Sequence, residues 1–171
     1  MKHFLLIVST IFSLLTTSFC QELVPITDSI NKFTIGVPVG WQYGVPIDKS
    51  ANFMAKRQKV DENDIPSEVV RINIFQHKET DLNEEYKNFI KEISKRDGFK
   101  ILEQQDKLID NRKYKYLVES HLNAVSKQEM TACILLSNDN GKILMLTMLT
   151  KSESFDKYRQ LYDRIAESIL Y

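Results

Sequence analysis

The amino-acid sequence predicts an α+β domain in which two helices cover a mostly antiparallel sheet. Two segments, residues 82–93 and 155–169, carry apolar side chains at the three- and four-residue spacing of an amphipathic helix. Other segments alternate apolar and polar residues in short runs separated by turn residues, which is typical of strands joined as hairpins. Residues 143–149 are almost continuously apolar and therefore predict a central strand covered on both faces.

Before the first helix the sequence predicts short strands and loops. Residues 21–30 are a polar lead-in, and residues 33–37 alternate as a short strand does. Residues 51–56 are a weaker strand candidate, and residues 58–67 are polar and acidic, as an exposed loop is. In residues 68–77 the apolar side chains fall on one face and the polar ones mostly on the other.

The helix and hairpin signals define the second half of the domain. Asp81 and Glu84 form a capping-box pattern at the start of the first helix, and Gly98 is expected to end it. The Asn140-Gly141 step favours the positive φ angles of a tight hairpin turn. With strands at 99–109, 114–122, 129–136 and 142–150, the chain is expected to form one domain over residues 31–171.

The charge balance argues against several kinds of partner. The 23 Lys and Arg residues are matched by 23 Asp and Glu residues. A chain without net charge has no general electrostatic attraction to nucleic-acid phosphates or to anionic lipid. We therefore expect no nucleic-acid partner, and no segment after residue 20 is long and apolar enough for a transmembrane span.

Residues 1–20 have the pattern of a secretory signal peptide. A short basic start precedes an apolar stretch at residues 4–15, and Ser18 and Cys20 place small residues at the −3 and −1 positions of a cleavage site before Gln21. The apolar stretch is shorter than the ~20 residues that a spanning helix needs. The protein is therefore expected to be exported, to the periplasm or out of the cell.

Lipid attachment at Cys20 is the alternative, and it would make the protein a lipoprotein. That reaction favours a large aliphatic residue three positions earlier and Gly, Ala or Ser directly before the cysteine, where this chain has Thr17 and Phe19. Cleavage is the favoured interpretation, and it leaves Cys133 alone in the mature chain, so that no internal disulfide is expected.

Residues 33–41, Phe-Thr-Ile-Gly-Val-Pro-Val-Gly-Trp, resemble the opening strand and turn of PsbP-like domains, within the wider Mog1/PsbP-like group. The order of elements across residues 31–170 and the aromatic closing helix with Ser168 are similar as well. The resemblance implies an exported bacterial member with a twisted antiparallel sheet sandwiched by helices. It also implies an accessory role through binding to larger assemblies or envelope components. It supplies no active-site residues.

The chemistry-bearing residues are few, and no catalytic motif is present. A nucleophile elbow, a phosphate-binding loop and a His-Glu-x-x-His pair are all absent. His77 and His121 fall on predicted strands, near Arg71 and Glu119, and could bind zinc if those strands paired in register. Two surface-facing histidines are the favoured interpretation, so neither a metal nor a cofactor is expected. Cys133 is expected to be buried and inert.

Four aromatic residues are the candidates for binding a partner. Trp41 and Tyr43 follow the turn at Gly40, and Tyr114 and Tyr116 share one face of a strand. Tyrosine and tryptophan combine a large apolar ring with a polar group, which suits recognition surfaces, although the same residues also suit the flank of a core.

The leading hypothesis is an exported, non-enzymatic accessory protein that binds an envelope protein or complex. Two alternatives remain open. One is a carrier that holds a small apolar ligand or lipid in a groove between sheet and helix. The other is a metal-dependent hydrolase built on His77 and His121.

The signal-peptide interpretation predicts a mature chain that begins at Gln21. Intact-mass analysis of the exported protein should give the mass of residues 21–171. Cys20→Ser should leave that mass unchanged, because serine is also small enough for the −1 position. A diacylglyceryl mass on Cys20 would instead establish a lipoprotein.

Overall fold

The computed structural model describes residues 21–76, 81–139 and 141–171. The predicted signal peptide, His77 and Asn140 lie outside these ranges. The helices and strands are β1 (Leu23–Asp28), β2 (Phe33–Pro38), β3 (Gln42–Gly44), β4 (Phe53–Lys56), β5 (Val69–Gln76), α1 (Leu82–Ile93), β6 (Lys100–Ile109), β7 (Arg112–Leu122), β8 (Glu129–Asp139), β9 (Lys142–Lys151) and α2 (Phe155–Glu167).

A seven-stranded antiparallel sheet in the order β3-β4-β5-β9-β8-β7-β6 carries the structure. β9 is the middle strand, which confirms the prediction from its apolar run. Leu144, Leu146 and Met148 are fully buried on one face, and Ile143 is buried on the other. A strand buried on both sides needs a covering layer on each face, and the two helices supply these layers.

The face under α2 holds the larger core, and α2 shares it with a hairpin of β1 and β2. The end of α2 is tied to β2, because the Gly36 N–H donates to Ser168 Oγ at 2.8 Å. A Cβ at Gly36 would lie 2.9 Å from that oxygen, so the close approach requires glycine. We call this side of the sheet the α2 face. The interpretation of residues 21–30 as a lead-in missed β1.

The opposite side of the sheet, the α1 face, is covered by α1 over β7, β8 and β9. Tyr86 and Ile93 are buried there against Leu117, Ile134 and Ile143. Two details of the sequence interpretation were wrong. The Asp81 side chain makes no capping hydrogen bond to the helix, and α1 ends at Ile93 well before Gly98.

The two edges of the sheet differ in length and composition. β3 has only three residues, whereas β6 has ten. β6 exposes the apolar side chains Ile101, Leu102 and Leu108. It also carries the exposed charges Lys100 and Asp106 and a register irregularity between Ile101 and Glu103, and these two features discourage pairing with another strand. In the described part of the chain, neither helix has the length and apolar character that a membrane crossing requires.

The burial of β9 predicts a large effect of truncation at its centre. Leu146→Ala should lower the free energy of unfolding by about 2–5 kcal/mol, the range for emptying a closed core site. Thr147→Ala on the next residue, which faces the other side and is partly exposed, is the matched control. Denaturant unfolding measures both, and a loss below about 1 kcal/mol for Leu146→Ala would contradict the central position of β9.

Candidate functional site

Three of the four predicted anchor residues lie in the core. Trp41, Tyr114 and Tyr116 are 5%, 1% and 1% exposed, all within the α2-face core. Tyr114 and Tyr116 point from β7 toward α2, so their strand face was identified correctly but it is the covered one. These three side chains therefore cannot serve as surface anchors. Tyr43 alone of the four is exposed, at 55%.

Tyr43 is exposed yet held on a rigid base. It lies on β3 opposite Ala55 of β4, and its ring stacks on the buried Phe53 with 6.3 Å between centroids. Phe53 in turn meets Phe33 of β2 edge to face at 5.8 Å. The phenol is thus fixed by core packing while about half of its surface remains open to a partner.

Exposed apolar side chains surround Tyr43 along the chain. Val39, Val45 and Ile47 are 50%, 67% and 102% exposed. β3 is also the last strand of the described sheet, so the outer row of its backbone N–H and C=O groups faces no strand there. We call residues 39–47 the β3 surface.

A network of charges anchors the loop next to the β3 surface. Glu68 is 4% exposed and accepts hydrogen bonds from Arg57 Nε at 2.7 Å and from Thr150 Oγ1 at 3.1 Å. Arg57 also donates to both carboxylate oxygens of Asp64. A buried carboxylate is tolerated only when it is paired in this way. The sequence predicted residues 58–67 as an exposed loop and did not indicate this network.

The same network fixes the charge state of its acids. Hydrogen bonds from Arg57 lower the pKa of Asp64 to about 2. Burial is the largest influence on Glu68 and acts to raise its pKa, but the hydrogen bond and charge of Arg57, together with hydrogen bonds from the backbone and Thr150, outweigh it and leave the pKa below its ordinary value. Both groups are therefore ionised at neutral pH, and the loop is held by opposite charges.

Two cavities flank the β3 surface and share the residues Arg57, Gln58 and Lys59. One, of about 720 Å³, lies between Trp41, the acidic loop and Tyr158 in the first turn of α2. The other, of about 520 Å³, is lined by Gln42 of β3 and by Glu68 and its neighbours. Both cavities reach the β3 surface at its first residues, Val39 to Gln42, and both are large enough to receive side chains of a partner.

The zinc-site hypothesis required the strands that carry His77 and His121 to pair with each other, and the sheet order does not pair them. β5, which precedes His77, pairs with β4 and β9, whereas His121 lies on β7, with β9 and β8 between the two strands. Within the ranges that the structure describes, no three His, Cys, Asp or Glu side chains cluster as metal ligands would. Glu119, noted beside His121 in the sequence, does contact that ring, at 3.0 Å from Nδ1.

Cys133 behaves as a structural thiol. It is 1% exposed on β8, and burial raises its pKa to about 12. A neutral thiol without access to solvent is a poor nucleophile.

A small apolar groove lies between α1 and the sheet. It has a volume of about 260 Å³ and is lined mainly by Phe75, Phe89, Leu136, Ile143 and Met145. This groove is where the carrier alternative would place its ligand.

Comparison with solved structures identifies the fold. Cyanobacterial PsbP (CyanoP) from Synechocystis sp. PCC 6803 is 13% identical with a TM-score of 0.62, over 88% of this chain and 92% of that one. LpqN of Mycobacterium tuberculosis, which is involved in cell envelope biogenesis, is 14% identical with a TM-score of 0.63, over 85% and 88%. The Ran-binding protein Mog1p of Saccharomyces cerevisiae is 9% identical with a TM-score of 0.62, over 88% and 95%.

The fold is therefore PsbP/Mog1-like, as the resemblance of residues 33–41 implies. Identities this low establish the fold alone. Sequence comparison finds no family model and no curated protein that matches the chain.

The charge network predicts a loss of stability in acid. The folded-state pKa of Asp64 lies below its unfolded value of about 4, so the carboxylate stabilises the fold above that pH. This contribution should disappear as the pH falls from about 4 to about 2. Melting curves across this window should show a smaller decline for Asp64→Asn than for the wild type.

Glu62→Gln is the matched control for Asp64→Asn. Glu62 is an exposed carboxylate of the same loop that makes no described side-chain contact with Arg57. The control should keep the wild-type acid dependence. An equal decline for Asp64→Asn and the wild type would show that the ion pair contributes nothing to the fold.

Proposed function

We propose that this protein is an exported, non-enzymatic accessory protein of the cell envelope that acts by binding a protein partner. The observation that carries the proposal is the β3 surface. It combines a rigidly held, half-exposed tyrosine with exposed apolar neighbours and an open strand edge.

The β3 surface has the properties of a site for an extended peptide segment. A partner strand that adds to β3 would use the outer backbone groups for hydrogen bonds and place alternate side chains on either side of the sheet. The two cavities of about 720 and 520 Å³ adjoin the start of β3 and would be available to side chains of such a segment. Tyr43 would be the central anchor, because its ring is already ordered and loses little conformational freedom on binding.

A sequence pattern and a structural similarity both support a location in the cell envelope. Residues 1–20 have the pattern of an export signal. LpqN, whose structure is similar, is involved in cell envelope biogenesis. Mog1p, also similar, binds Ran, which supports a protein partner as the kind of ligand this fold can recognise.

The surroundings of Cys133 and His121, the residues that could act as a nucleophile and a base, support a role without catalysis. Cys133 is buried and its pKa is raised. His121 is hydrogen-bonded to a carboxylate and, among the contacts described, not to a hydroxyl or thiol that it could activate.

The groove of about 260 Å³ between α1 and the sheet supports the second candidate, a carrier of a small apolar ligand. Its volume lies just below the ~300–1,000 Å³ of sites that enclose drug-sized ligands. It would hold a short apolar group, whereas a whole lipid would extend beyond it. Native mass spectrometry of the exported protein tests this: a bound lipid would favour the carrier over the accessory protein.

The proposal predicts that Tyr43→Ala weakens capture of the partner while the fold is kept. Removal of such an anchor commonly costs about 2 kcal/mol, or roughly 30-fold in affinity. The measurement compares pull-downs from envelope extract with thermal melts of the same variants. Leu108→Ala is the matched control, because Leu108 is 67% exposed on the opposite edge strand.

Capture by Tyr43→Ala equal to that by the wild type would remove the β3 surface from consideration. A drop in melting temperature that accounts for the lost capture would also contradict the proposal, because it would make Tyr43 a residue of the fold rather than of the interface.

A further inference from the structure

The most deeply buried carboxylate of the described chain is Glu119 on β7, with no exposed surface. It lies opposite Ala132 on the α1 face, beyond the end of α1. Both of its oxygens are 3.0 Å from His121 Nδ1, and Oε1 also accepts a hydrogen bond from Arg96 Nη1 at 3.1 Å. Two basic side chains thus converge on one buried acid.

This arrangement positions the imidazole. Because a carboxylate only accepts hydrogen bonds, Nδ1 of His121 must carry the proton that it shares with Glu119. Nε2 is then the nitrogen that remains for a ligand, and the ring is held in one orientation as second-shell carboxylates hold functional histidines.

The positioned ring opens into a cavity of about 380 Å³ between the segment after α1 and the β7–β8 turn. The two segments are tied together by the Leu122 N–H, which donates to the Asp97 carbonyl at 2.7 Å. Gly98 packs directly against Leu122, where a Cβ would lie 3.0 Å from Leu122 Cγ. The walls of the cavity are therefore fixed relative to each other. We call it the His121 cavity.

Basic groups predominate among the exposed side chains that line the His121 cavity. Lys95, Arg96 and Lys127 are 63%, 43% and 62% exposed, against one exposed acid, Asp97. Lys95 pairs with Glu92 and Lys127 with Asp97, but ion pairs this exposed contribute little and can be exchanged for a ligand. Arg96 uses only one of its five N–H donors in the contacts described.

We propose that the His121 cavity binds a phosphoryl group. A tetrahedral oxyanion can accept a forked pair of hydrogen bonds from Arg96 and can also contact the His121 ring, Lys95 and Lys127. Glu119 provides the counter-charge that keeps the arginine and the imidazole in place when the site is empty. The group could belong to a free phosphorylated molecule or to a lipid headgroup, and both present the same oxygens.

The proposal is independent of the β3 surface, which lies at the opposite end of the sheet order from β7. It is also compatible with a chain that has no net charge, because the attraction is local to one cavity. The failure of either proposal would leave the other standing.

The test uses inorganic phosphate as the probe and the mature protein at constant pH and ionic strength. Nuclear magnetic resonance signals of the His121 ring and the Arg96 side chain should shift saturably, with a Kd of about 1 mM or tighter. Arg96→Gln should weaken binding about tenfold or more. Lys113→Gln, an exposed charge on β7 outside the cavity, should not.

A second variant distinguishes weaker phosphate binding from a folding defect. Arg96→Gln leaves Glu119 with one partner fewer, whereas the double variant Lys95→Gln with Lys127→Gln leaves the contacts of Glu119 with Arg96 and His121 intact. The double variant should melt as the wild type does and bind phosphate severalfold more weakly. Equal affinity of the wild type and the double variant, or no saturable shift at His121, would overturn the proposal and leave Glu119, Arg96 and His121 with a structural role only.

Vesicle binding shows whether the phosphoryl group belongs to a lipid headgroup or to a free molecule. Co-sedimentation with phosphatidylglycerol vesicles, but not with phosphatidylcholine vesicles, and its loss in the double variant would assign a lipid headgroup. Phosphate binding without vesicle binding would assign a free phosphorylated molecule. Vesicle binding that the double variant keeps, without a phosphate shift at His121, would contradict the proposal.

Discussion

The structure depends on the burial of β9 on both faces. Leu144, Leu146 and Met148 are fully buried toward α2, and Ile143 is buried toward α1. Each such side chain contributes about 1.5–3 kcal/mol relative to an exposed one, so the strand cannot be left open on either side. Two helices and a hairpin are the layers that satisfy this constraint.

The candidate site follows from how the α2-face layer is closed. β2 lies in the covering layer, tied to α2 through Gly36 and Ser168, and the chain then returns to the main sheet as the three-residue strand β3. So short a strand buries little apolar surface. The Tyr43 ring is held in place because it stacks on Phe53. The pairing of buried Glu68 with Arg57 fixes the adjacent loop. The candidate surface is thus exposed, while residues that are largely buried hold it in place.

Much of the fold could be predicted because its signals are local. The apolar run of β9 predicted the central strand, and the stripe of α2 predicted its buried face. Gly141, between β8 and β9, has a positive φ of 79°, as the predicted hairpin turn requires. β1 was missed because half of its residues are exposed and it contains Pro25 and Asp28, which are uncommon in strands.

The site was harder to predict because it depends on contacts between distant parts of the chain. Alternation places Tyr114 and Tyr116 on one face, but only the docking of α2 decides that this face is covered. Glu68 gains a partner in Thr150, which is 82 residues away. The contact between His121 and Glu119 was the exception, because residues two apart on a strand share a face.

The most direct test of the central claim, that the β3 surface receives the partner, is amide hydrogen exchange of the complex recovered from envelope extract. Residues 42–44 should exchange more slowly in the complex than in the free protein, because a partner strand would bond their outer backbone groups. The amides of β6, the other edge, should be unchanged. Unchanged exchange at β3 together with new protection at β6 or along α1 would contradict the account.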